Sequence, residues 1–76
     1  MGKIAGVSSV SEIGQVAGVV WRTLSESGAM TTTKLVAAVG DHRDTVMQAV
    51  GWLAREDKIE IQPKGRSTWI SLRDEA

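Results

Sequence analysis

Residues 35–59, LVAAVGDHRDTVMQAVGWLAREDKI, constrain the fold of this chain more than any other stretch. Leu35, Ala38 and Val39 space their apolar side chains as one face of a helix does. Gly40 follows, a residue suited to the left-handed backbone that ends a helix. Asp41 reads as the N-cap of the next helix, and Asp44 falls in its first turn, where the helix dipole favours negative charge. Val46, Ala49, Val50 and Leu53 then recur at i, i+3, i+4 and i+7, the apolar stripe of a second helix. Two short helices joined by a few residues around a glycine form a helix-turn-helix. The remainder of the chain is expected to cover this pair.

On the N-terminal side, Ser9-Val10-Ser11-Glu12 fits a capping box in which Glu12 reaches back to the Ser9 amide, so a helix starts at Ser9 or Ser11. Ile13, Val16, Ala17, Val20 and Leu24 supply its apolar stripe, and Ser27-Gly28 ends it. Gly14 and Gly18 lie inside this helix, each at a cost of about 1 kcal/mol relative to Ala. They share a flank with Trp21 and Ser25. Close approach by another element of the same domain explains them, and the alternative is contact with a second subunit. The threonine-rich stretch 29–33 predicts a strand of two or three residues followed by a helix cap at Thr31 or Thr32.

On the C-terminal side, residues 58–62 alternate as a half-buried strand does. Pro63-Lys64-Gly65-Arg66 is a turn. Residues 67–72 alternate again, with Thr68, Ile70 and Leu72 on one face and Trp69 on the other, so 58–72 reads as a β-hairpin. The expected organisation is a flexible arm over 1–8, one domain over 9–72 and a polar tail over 73–76.

Helix, short strand, helix, helix, hairpin is the order of a winged helix domain. Residues 35–59 resemble the L-A-x-x-L-G-x-S-x-x-T-V-x-x-A-L-x-x-L-x-x-x-x-x-I pattern of bacterial winged helix regulators. Leu35, Gly40, Thr45, Val46, Ala49, Val50, Leu53 and Ile59 fall at matching positions without a gap. The runs V-W-x-x-L at 20–24 and G-W-L-A-R-E-D-K-I at 51–59 are similar to a small bacterial family of stand-alone winged helix-turn-helix domains without an assigned function. The resemblance implies an α+β fold, three helices packed with a small antiparallel β-sheet whose wing is the 58–72 hairpin. It also implies that the helix over 43–56 enters the DNA major groove while the wing contacts backbone or minor groove.

Composition narrows the chemistry. Lys+Arg and Asp+Glu are nine each, so any basic surface must be local. There is no Cys, which excludes disulfides and thiolate metal sites. No apolar run has the length of a membrane span, and MGKIAGVSSV makes a poor signal peptide, so a cytoplasmic location and no membrane partner are expected. His42 is the sole His and reads as a capping or surface residue of the helix-helix turn. Lys64-Gly65 lacks the glycine-rich run and following helix of a phosphate loop. No nucleophile motif, metal set, cofactor site or small-molecule site is evident, which points away from an enzyme.

Two readings remain. With Val46, Val50 and Leu53 buried, Asp44, Gln48, Gly51 and Arg55 point outward. Arg43, Gln48 and Arg55 on this helix and Lys64 and Arg66 on the wing are then the candidate contacts to double-stranded DNA, and Arg22 and Lys34 are possible additions to that surface. The first reading is a DNA-associated, transcription-type regulator acting as a homodimer. Asp44 opposes phosphates, and Met47, Gly51, Trp52 and Trp69 suit a protein interface better. The alternative is a protein-interaction or dimerisation module that uses the apolar outer face of the third helix and does not bind DNA.

Overall fold

The computed structural model describes residues 10–73. Ser9 of the expected capping box, the arm over 1–8 and residues 74–76 lie outside them. The elements run α1 (Val10–Ser27), β1 (Met30–Thr31), α2 (Thr32–Val39), α3 (Arg43–Arg55), β2 (Ile59–Lys64) and β3 (Ser67–Leu72). The three strands form an antiparallel sheet in the order β1-β3-β2. Three helices against this sheet, with the β2-β3 hairpin as wing, make a winged helix.

Side-chain spacing accounts for the core. Val16, Ala17, Val20 and Leu24 turn the predicted face of α1 inward, and Val46, Ala49, Val50 and Leu53 do the same from α3. Leu35, Met30, Ile59 and Ile70 complete the cluster. In α2 the sequence reading needs correction: Ala38 is exposed, and the inward stripe is Thr32, Leu35, Val36 and Val39. That set has i, i+3, i+4, i+7 spacing and gives the short helix two turns of contact.

The turn between α2 and α3 is one residue longer than the sequence suggests. Gly40 ends α2 with φ 77°, and its N–H donates to the Val36 carbonyl at 3.1 Å. His42, and not Asp41, is the N-cap residue of α3. The Asp41 carboxylate accepts instead from the adjacent His42 N–H at 2.7 Å. At the other end, Lys58 N–H donates to the Leu53 carbonyl at 2.9 Å and Asp57 N–H to the Ala54 carbonyl at 3.0 Å. This is a Schellman closure with Asp57, at φ 65°, where glycine is usual. Arg73 fastens it: its N–H donates to the Lys58 carbonyl at 2.9 Å and its guanidinium meets the Asp57 carboxylate at 2.7 Å.

Three further expectations are revised. Pro63 and Lys64 belong to β2, and the wing turn is the two residues Gly65 and Arg66. Pro63 is tolerated because β2 is an edge strand. Ile61 alternates in phase with buried Ile59 yet is 45% exposed, because β2 is the edge strand; its register partner Ile70 on the central strand is fully buried. Among the described residues, no neighbouring element closes on Gly14 or Gly18. A Cβ built at either position meets nothing within 4 Å.

Candidate nucleic-acid interface

Three chain segments converge beside the wing because β1 is so short. Thr31 ends β1 opposite Trp69 of β3 and is also the N-cap of α2, its hydroxyl accepting from the Lys34 N–H at 3.2 Å. One residue on, the Thr32 hydroxyl donates to the Thr68 carbonyl at 3.2 Å. The first turn of α2 is thereby held against the base of the wing turn. The Gly40-Asp41-His42 connection then brings the first residue of α3, Arg43, to the same place.

The result is a polar depression of about 360 Å³. Thr31, Thr32 and Thr33 line it from the start of α2, Arg43 from the start of α3, and Arg66, Ser67 and Thr68 from the wing. Among the described residues the ion pairs join Lys58 to Glu56 and Arg73 to Asp57, so no carboxylate holds Arg43 or Arg66. The first turns of α2 and α3 also present backbone N–H groups without partners inside their helices. Two guanidinium groups, several hydroxyls and helix N-terminal amides are the donor types that bind phosphate oxygens. Asp41 and Asp44, both exposed, limit the positive field.

The sequence-derived contacts divide around this depression. Arg43 and Arg66 line it. Lys64 pairs in register with Ser67 on its rim. Gln48 and Arg55 are exposed farther along α3; at 1.5 Å per residue Arg55 lies about 18 Å from Arg43 along the axis. Thr31 to Thr33, Ser67 and Thr68, which the sequence reading does not single out for this surface, also line the depression, and the run of three threonines was a visible signal. Arg22, on α1, and Lys34, in α2, do not line the depression.

The candidate protein-interface residues separate too. Trp52, 40% exposed, faces a groove of about 290 Å³ between α1 and α3, across from Trp21, 44% exposed. Trp69, 36% exposed, lines a different depression with Met30, Lys34 and Ala38. Met47 is half-buried and Gly51 exposed on the outer side of α3. No residue lines both the polar depression and the Trp21–Trp52 groove.

Among the described residues no group of three His, Asp or Glu side chains is placed to hold a metal ion. No described helix is long and apolar enough to cross a membrane.

Residues 8–72 match the model of a family described as Winged helix-turn-helix domain (DUF2582). No curated protein matches the chain. Among solved structures, the chain is similar to the AntR antimony-specific transcriptional repressor, with a TM-score of 0.63 and 20% sequence identity. That alignment covers 93% of this chain and 76% of the repressor chain, and at this identity it shows a shared fold.

Proposed function

The chain belongs to the winged helix-turn-helix family DUF2582, and from that premise we propose that it is a non-catalytic, DNA-associated regulator of the transcription type that acts as a homodimer. One observation carries the reading: Arg43 and Arg66, far apart in sequence and neither paired with a carboxylate among the described residues, line one polar depression with the first turn of α2. A phosphate of the DNA backbone fits this donor set. Gln48 then faces the major groove for base contact, with Arg55 beyond it and Lys64 extending the positive edge of the wing. The likeness to a transcriptional repressor supports the same reading. The neutral total charge fits a module whose DNA-facing positive surface is local, carried by α3 and the wing.

The alternative, a protein-interaction module that leaves DNA alone, keeps Met47 and Gly51 on the outer side of α3. Trp52 and Trp69, which also favoured it, line depressions apart from Arg43 and Arg66. Both activities therefore fit on one domain.

The test is salt-dependent binding to mixed duplex fragments by wild type and by an Arg43→Ala/Arg66→Ala double variant. Each phosphate contact contributes about 0.9 to the slope of log K against log salt, so the double variant should lose about 1.8 from it. A wild type with no salt-sensitive binding, or a variant with an unchanged slope, refutes the reading.

A further inference from the structure

The geometry points to the Trp21–Trp52 groove as the surface on which a second copy of this chain docks, with α1 against its symmetry-related α1. This rests on the homodimer part of the reading above and adds where the two copies meet. Gly14 and Gly18 are unfavourable inside a helix, and a Cβ at either meets nothing within 4 Å, so packing within the described domain does not require them. What requires them lies outside it. Around them, the side of α1 from Val10 through Gly14, Gly18 and Trp21 to Ser25 carries no charge, and charge depletion marks interface cores. Val10 is 67% exposed at one end of this strip. The strip continues over Leu53 and Trp52 of α3, and the Glu56–Lys58 pair at 3.8 Å closes the groove as a charged rim.

Size and shape favour another copy. The 18 residues of α1 span about 27 Å, and two adjacent helices each about 10 Å wide offer roughly 500 Å² per copy. A symmetric pair buries about 1,000 Å², the lower limit for a biological interface and the range of a reversible dimer. A two-fold interface must be self-complementary. Each copy offers both halves: a ridge of two half-exposed indoles and a floor where glycine leaves the α1 backbone bare. Antiparallel crossing of the two α1 helices sets the Trp21 ring of each over Gly14 and Gly18 of the other.

Sedimentation velocity on wild type, Gly18→Glu and Trp21→Ala, with circular dichroism on each, tests this. The open Cβ position lets Gly18→Glu keep its helix content, while a carboxylate facing the partner's indole should raise the dimer dissociation constant by about 100-fold or more. Trp21→Ala should shift it the same way and decides the matter if Gly18→Glu does not fold. A dimer unchanged in both variants overturns the proposal. So does a wild type that stays monomeric at high concentration, including one whose tryptophan emission moves to the red when residues 1–9 are removed, which would give the groove to the chain's own N-terminal segment. Binding of duplex by such a monomer would leave the DNA reading standing. Conversely, a wild-type dimer dispersed by Gly18→Glu but indifferent to DNA supports this surface while ending that reading.

Discussion

Thr32→Val probes the joint between the fold and the candidate interface. Lys64 and Ser67 flank a two-residue turn and so form a hydrogen-bonded pair. The next pair, Pro63 and Thr68, is then of the non-hydrogen-bonded kind, and the Thr68 carbonyl points away from β2 toward β1. Strand β1 ends at Thr31, one residue short of a backbone partner for it. The Thr32 hydroxyl, 3.2 Å away, stands in for that partner. Valine keeps the shape of threonine and removes the donor. A net hydrogen bond contributes about 0.5–1.5 kcal/mol, and a carbonyl orphaned at a fully buried site costs about 1–3 kcal/mol. The Thr32 bond is only part-buried, so a loss of about 1 kcal/mol is expected, equivalent to a fall in Tm of about 4–8 °C in a domain of this size. Chemical and thermal denaturation followed by tryptophan fluorescence measures it, with exposed Thr33→Val as the control. Duplex affinity should fall as well, although Arg43 and Arg66 are intact, because the first turn of α2 is no longer fixed to the wing. A stability change under about 0.3 kcal/mol, well inside the range for an unimportant surface site, would refute the reasoning.

Asp57→Ala should destabilise the domain by about 1–2 kcal/mol, chiefly because alanine lacks aspartate's tolerance of a left-handed backbone, in a urea titration with Asp57→Gly as the permissive comparison. The exposed Arg73 contact adds little to that figure. Gln48→Ala should reduce discrimination between duplex sequences by about 1–3 kcal/mol and leave the salt slope unaltered, as competition binding with selected and mixed duplexes reports.

The winged helix was legible because its signals are local and periodic. Val46, Ala49, Val50 and Leu53 lie on the core face as their spacing requires, and Gly40 takes the positive φ that its place after a helix suggests. What was misread depends on contacts that periodicity does not encode. Asp41 and His42 are adjacent, and only the path of the turn decides which of them caps α3. Ala38 and Val36 differ by half a turn in an eight-residue helix, too short for the stripe to define itself. Ile61 follows the alternation of β2, but that strand is the sheet's edge, and alternation does not tell an edge strand from the central one that buries its partner Ile70. Of the two explanations for Gly14 and Gly18, packing within the domain fails among the described residues, none of which comes within 4 Å of a Cβ there; contact with a second subunit is not encoded by periodicity either. The candidate interface was half visible. Arg43 and Arg66 were named individually, but their convergence depends on the Thr32–Thr68 bond, a contact across 36 residues.

In the proposed complex the polar depression, not the Trp21–Trp52 groove, meets DNA. Titrating duplex DNA into isotope-labelled protein and following backbone amide shifts tests this most directly. The largest, salt-sensitive changes are expected on Thr31, Thr32, Thr33, Arg43, Arg66, Ser67 and Thr68, while Gly14, Gly18 and Trp21 stay still. Shifts centred on the groove, or none at all at low salt, would contradict it.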